Sequence, residues 1–141
     1  MEDTLSSLEG YDLGEPAYGS SLVAICHRLW KTPLTQFGAE EYRIMIGQGL
    51  GLAHLIPRAL ALLAVDPLAE GDNYPGDLLL SVLESEQQFW EQQPELLAKA
   101  ISVAEIALAR MDGEFRKDYE EEHSRVQRAL DILRSRQARE R

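Results

Sequence analysis

The residues that first invite a search for chemistry are three histidines, one cysteine and one carboxylate–histidine pair. His27, His54 and His123 fall in neither HxxxH nor HExxH spacing, and none stands at a metal-ligand interval from Cys26. The string Glu120-Glu-Glu-His123 places Glu120 and His123 on one helical face, as a di-metal carboxylate site requires. Such a site needs a second ExxH pair on a facing helix, and the sequence has none, so this pair reads as solvated helix surface. Cys26 lies in the apolar run Leu22 to Cys26 and reads as a small core residue, and a single cysteine excludes an internal disulfide. Gly47, Gly49 and Gly51 alternate, yet no strand precedes them and no Lys follows, so they read as a tight connection between packed helices rather than a phosphate loop. Gly19-Ser20-Ser21 lacks the strand–elbow–helix context of a nucleophilic serine. No catalytic, cofactor-binding or metal-ligating residue is assigned, no cofactor is expected, and the protein is expected not to be an enzyme.

Charge is more informative. The 141 residues carry 14 Lys plus Arg against 24 Asp plus Glu, a formal net charge of −10. A partner attracted by this charge would be basic, whereas bare nucleic acid would be repelled. Between Arg58 and Lys99 there is no cation, while Asp66, Glu70, Asp72, Asp77, Glu84, Glu86, Glu91 and Glu95 make the stretch −8. Tyr74, Phe89 and Trp90 are interspersed. Aromatics within a charged, loop-rich surface suit an interface steered by electrostatics; the competing reading is a solvated acidic face over an aromatic core. On the first reading the candidate partner-binding residues are Asp66, Glu70, Asp72, Tyr74, Asp77, Glu84, Glu86 and Glu91. Residues 125–141 reverse the sign, with six Arg against Asp131 and Glu140 giving +4, which leaves −14 on residues 1–124. This tail reads as a frayed helix end whose arginines complement the helix dipole, not as a nucleic-acid contact.

The elements that would position these residues are all helices. Residues 1–17 read as an irregular lead-in, and Ser20 or Ser21 can cap a helix whose inner face is Leu22, Ile25, Cys26, Leu29 and Trp30, stopped by Pro33. A second helix is expected over Ala39–Gln48. A third, apolar on most sides and so expected to be the buried central helix, is expected over His54–Val65, with Pro57 tolerable only in its first turn. The longest irregular segment is Asp66–Gly76, followed by a short apolar helix at Asp77–Leu83 and a capping box of Ser85 with Gln88 opening another through Phe89 and Trp90. From Pro94 a stripe runs through Leu97, Ile101, Ala104, Leu108, Met111, Phe115 and Tyr119 to Val126, Leu130 and Leu133. One straight helix of that length would reach about 55 Å, beyond the width of about 37 Å expected of a compact chain this size, so a break at Asp112-Gly113 is expected. No segment alternates with period two. The expected fold is an all-α bundle of about six or seven helices in a single domain over residues 1–141, ending in the Arg-rich helix end 125–141.

The N-terminus has neither a basic region nor an apolar one of signal-peptide type, and the longest apolar run, Ala59 to Val65, is far short of the roughly 20 residues of a membrane span. A cytoplasmic protein without membrane contact is expected.

Several strings, taken in order, resemble those of a helical group of immunity proteins from bacterial contact-dependent growth inhibition systems. They are Leu8-Glu-Gly10, Gly14-Glu-Pro16, Cys26-His-Arg-Leu29, Lys31-Thr-Pro-Leu34, Tyr42-Arg-Ile-Met-Ile-Gly-Gln48, Leu55-Ile-Pro57, Asp66-Pro-Leu-Ala-Glu-Gly-Asp72 and Tyr74-Pro-Gly-Asp-Leu-Leu79. The resemblance covers roughly residues 8 to 97, and the RIMIGQ and PLAEGDxYPGDLL strings are the most specific. The resemblance implies a small antitoxin that binds the C-terminal toxin domain delivered by a neighbouring cell and neutralises it without doing chemistry. A nuclease, whose cleft must be basic to hold phosphates, is the toxin class expected, and an acidic blocker fits it. No interface residue is carried over from the family; the shared strings read as turns and buried helix. The alternative is a helical scaffold or self-associating module that uses the C-terminal stripe, its oligomeric state open.

Overall fold

Thr4 and Ser7 close a reciprocal box at the start of the chain: the Ser7 N–H donates to Thr4 Oγ1 and the Thr4 N–H to Ser7 Oγ, each at 3.0 Å. They begin helix α1, Leu5–Glu9, so the lead-in expected to be irregular contains a five-residue helix. Its only buried residue, Leu5, is fully enclosed, and one inward residue in five positions leaves no periodicity to read. The computed structural model describes residues 2–15, 20–112 and 117–139; Pro16, Gly113 and Phe115 lie outside them. Among the described residues there are eight α-helices, one 3-10 turn at Leu34–Gln36 and no strand. The all-α expectation holds, with more helices than the six or seven expected.

Helix α2, Ser21–Trp30, is capped by Ser20, whose hydroxyl accepts the Val23 N–H at 3.1 Å. Trp30 is buried and donates its indole N–H to the Tyr11 carbonyl at 2.9 Å, which ties the N-terminal segment to the core. Helix α3, Ala39–Gly47, starts where the Gly38 N–H donates to Glu41 Oε1 at 2.8 Å. The alternating glycines form the short turn into α4, Leu52–Val65. At Gly51 the left-handed φ of 64° excludes most side chains, and a Cβ there would meet Leu5 Cδ2 at 2.6 Å.

Helix α4 begins two residues earlier than expected, so Pro57 lies in its second turn and the helix forgoes one backbone hydrogen bond there. Nor is it the central helix. It buries Leu55, Ile56, Ala59, Leu60 and Leu63, but Val65 is 85% exposed. Pro57, Ala61 and Ala64 line an apolar groove of about 390 Å³ with Leu96 and Ile106. The central element is α5, Asp77–Leu83, whose Leu78, Leu79, Leu80, Val82 and Leu83 are all buried and which packs on α3, α4, α7 and α8. Only a helix apolar all round can be surrounded in this way.

Helix α6, Gln87–Glu91, has no side-chain cap. The expected Ser85–Gln88 box does not form, because Ser85 is buried and donates its hydroxyl to the Ser81 carbonyl at 3.2 Å at the end of α5. Helix α7, Pro94–Met111, has Pro94 in its first turn and ends where Asp112 turns extended. Helix α8, Glu120–Arg139, packs along α7. His123 pairs with Asp112 and Arg134 with Glu105, so the two helices run antiparallel. Of the described residues of the stripe, Leu97, Ile101, Ala104, Leu108, Met111, Val126, Leu130 and Leu133 are thereby buried, and Tyr119 is half-buried.

Candidate functional site

Asp77 opens α5, yet its carboxylate faces inward and the residue is only 3% exposed. One oxygen accepts the Gly71 N–H at 2.7 Å; the other accepts the N–H groups of Asn73 at 3.0 Å and Tyr74 at 3.4 Å, and lies 3.7 Å from Arg43 Nε. Arg43 forks onto Glu40, its Nε and Nη2 each 2.6 Å from a carboxylate oxygen. Glu40 Oε1 also accepts the Asp72 N–H at 2.9 Å. Buried backbone donors need acceptors, and here three acidic or basic side chains from α3 and α5 supply the order of a loop that has no ladder of its own beyond a single Glu70–Pro75 bridge.

The charges in this cluster act on one another. The Arg43 guanidinium holds the Glu40 carboxyl below the ordinary glutamate range, and the Glu40 charge in turn pushes the exposed Asp72 carboxyl up. Gly71 is where loop and α3 come closest: a Cβ at that position would lie 2.5 Å from Glu40 Oε1 and 3.1 Å from Asp77 Oδ2. The two most specific sequence strings thus meet in space, one supplying Arg43 and the other Gly71, Asp72, Tyr74 and Asp77.

Of the eight residues singled out from the sequence, six are exposed: Asp66, Glu70, Asp72, Glu84, Glu86 and Glu91. Tyr74 is half-buried against the core, and burial pushes its hydroxyl up. Asp77 has no outward carboxylate to offer. The six exposed acids keep different company. Asp72 lies beside Glu40 and Arg43 of α3. Glu84 pairs with Arg125 at 3.0 Å, and Glu91 shares a cleft with Arg136 and Arg139 of α8. The helix end read as frayed is therefore packed against part of the acidic stretch. Phe89 and Trp90 are core residues, stacked edge-to-face with centroids 5.1 Å apart, and not interface anchors.

Glu40 and Arg43, which order the loop from about thirty positions away, carry no mark of that role in the sequence beyond the place of Arg43 in a specific string. The histidines are also accounted for locally. His27 Nδ1 is 2.8 Å from the Gly14 carbonyl, His54 Nε2 is 3.5 Å from Glu9, and His123 Nε2 is 3.4 Å from Asp112. His123 is buried rather than on the solvated surface expected for it, because it closes the α7–α8 corner. Cys26 is buried as expected, which pushes its thiol up. Among the described residues no group of three or more His, Cys, Asp or Glu could hold a metal ion, and no helix is long and apolar enough to cross a membrane.

A family model described as CDI immunity proteins matches residues 7–100. This is nearly the span of about 8–97 that the resemblance covers. No curated protein and no solved structure matches the chain.

Proposed function

The chain belongs to the CDI immunity protein family, and from that premise we propose that it binds and neutralises the C-terminal domain of a cognate contact-dependent growth inhibition toxin. The action is by binding alone, in the cytoplasm, and the toxin is a basic nuclease. The observation that carries the reading of the partner's charge is the presentation of Asp66, Glu70 and Asp72 on a loop ordered from within by Asp77 and Glu40. Exposed carboxylates on a pre-ordered loop bind without paying the entropy of ordering it, and they steer a basic surface into place. Glu86, exposed and without a side-chain cap contact, extends the acidic surface toward α6. Asp77 and Glu40 are positioning residues in this scheme, acting through the loop.

The test is co-expression with the toxin domain followed by size-exclusion chromatography at low salt. A 1:1 complex is expected, and two separate peaks would overturn the proposal. Reversing Asp66, Glu70 and Glu86 together to Lys should slow association about tenfold and flatten its salt dependence, since charge acts mainly on the encounter rate. Unchanged stopped-flow kinetics would remove this surface from the interface while leaving the complex itself intact. Self-association through the C-terminal stripe is less well supported, because among the described residues Leu97, Ile101, Ala104, Leu108, Met111, Val126, Leu130 and Leu133 of that stripe are buried within the chain.

A further inference from the structure

Helix α8 carries Arg125, Arg128, Ile132, Arg136 and Arg139 at steps of three, four, four and three residues, one continuous helical stripe. The stripe faces α5 and α6 across two adjoining clefts. The first, of about 340 Å³, has the buried Leu83 and Ala129 at its base and Arg125, Arg128 and Arg136 along its side. The second, of about 380 Å³, is formed by Gln87, Glu91, Arg136 and Arg139, so Arg136 is common to both.

The ionic groups here do not balance. Arg125 is committed to Glu84 at 3.0 Å, and Glu91 accepts from the Gln87 amide at 2.7 Å. Arg128, Arg136 and Arg139 form no ion pair among the described residues. Arg136 is the telling member: its Nε is buried and has no hydrogen-bond acceptor among the described residues. A guanidinium donor withdrawn from water without an acceptor is unfavourable, and an incoming anion would relieve it. Ile132, 52% exposed, stands on the same stripe midway between Arg128 and Arg136.

We propose that this groove binds an acidic, amphipathic polypeptide segment of a partner protein. Arg128 and Arg136 are eight residues apart, about 12 Å along the helix. That separation matches two carboxylates two helical turns apart on a partner helix, with an apolar side chain between them packing on Ile132 and the Leu83–Ala129 base. A polynucleotide fits less well. Its closely spaced phosphates would run past Glu84 and Glu91 between the arginines, and its sugar–phosphate backbone would offer the apolar base no aliphatic side chain. The groove is built largely from α8, which lies beyond the residues 7–100 matched by the family model. The proposal does not depend on the toxin reading.

The test uses the full chain, labelled with ¹⁵N, and follows the arginine Nε–H resonances. The probe is a capped alanine-based helical peptide with two Glu seven positions apart and Leu midway. The controls are the same peptide with Gln for Glu, and an oligouridine decamer. Saturable shifts of the Arg128, Arg136 and Arg139 signals are expected with the Glu peptide, at least tenfold weaker with either control. Arg136→Gln should weaken peptide binding at least tenfold; should that variant not fold, the exposed Arg128→Gln and Arg139→Gln, combined, carry the same expectation. Ile132→Ala should weaken it several-fold with the arginine contacts retained. Equal response to the Glu and Gln peptides, or tighter binding of the decamer, would overturn the proposal. Either failure would leave a toxin complex, assayed separately, unaffected.

Discussion

The acidic stretch between Arg58 and Lys99 contains two regions built from the same residue types and put to different use. In the loop at 66–77 a carboxylate is driven inside, where Asp77 collects three backbone N–H groups beside Arg43. Along the α5–α6 edge the carboxylates stay in water: Glu84 meets Arg125 with both side chains more than 40% exposed. The contacts differ little in length but greatly in consequence. In the loop, desolvation makes every unpaired group expensive, so the partners are obligatory; at the edge, solvent competes for the same charges and the pairs are optional. A net charge therefore says little about what a carboxylate does until burial is known.

The largest effect expected from breaking this contrast is at Asp77. Asp77→Asn keeps the volume but turns an acceptor into a donor facing donors, and it leaves the Arg43–Glu40 pair without its inner partner. A loss of about 3–5 kcal/mol in denaturant unfolding is expected, the range for breaking a buried charged network by one partner. Glu86→Gln, at an exposed acid with no side-chain cap contact, should stay within about 0.5 kcal/mol of the parent. A loss at Asp77 as small as that at Glu86 would erase the distinction between the two regions. Next comes Gly71→Ala. Its methyl group would press on Glu40 Oε1 and Asp77 Oδ2, so a cost of about 1–3 kcal/mol is expected from overpacking. Combined with Glu40→Ala, much of that cost should be recovered, because the closest atom is gone.

The same contrast explains what could be read from the sequence. Helical periodicity is local, and it placed α2, α3, α5 and the division of the long stripe near Asp112 with small errors at their ends. It could not find α1, where a single inward leucine makes no pattern, or rank α5 above α4, because both are apolar and only packing decides which one is enclosed. The acidic stretch was visible as charge, but its division was not. Asp77 and Asp66 look alike in sequence; one is pulled inside by donors at 71, 73 and 74, the other is left in solvent. Glu40 and Arg43 belong to the loop through tertiary contact alone. The tail arginines read as a frayed end because their partners, Glu84 and Glu105, lie 41 and 29 residues away.

A smaller effect is expected at the solvated edge. Arg125→Ala removes the one ion pair Glu84 makes among the described residues, and both groups are well exposed, so the stability change should stay below about 1 kcal/mol and shrink further in 0.5 M salt. A salt-independent loss larger than this would mean that Arg125 acts through its stem on the half-buried Tyr74, whose hydroxyl it influences. A double-mutant cycle with Glu84→Gln separates the two: coupling locates the effect in the ion pair, and additivity locates it in the stem.

The smallest effect concerns pH, and its sign differs between two neighbouring carboxyls. Glu40 has its folded-state value lowered by Arg43, so it contributes stability that is present above its unfolded value of about 4.3 and is lost as pH falls toward the folded one. Asp72 is the reverse. The charge of Glu40 raises its folded value, so its ionisation opposes folding at neutral pH, and that penalty fades as pH falls through the raised value toward about 3.9. Acidification from neutrality should therefore first relieve Asp72 slightly and then remove the contribution of Glu40. Asp72→Asn, which keeps the shape and the backbone N–H, should match or slightly exceed the parent at pH 7 and converge with it below pH 4. Glu40→Gln should lose stability at pH 7 and show a flatter decline in acid. A loss of stability in Asp72→Asn at pH 7 would mean that Arg43 attracts Asp72 more strongly than Glu40 repels it. The exposed rim of the loop would then belong with the buried cluster rather than with the solvated edge.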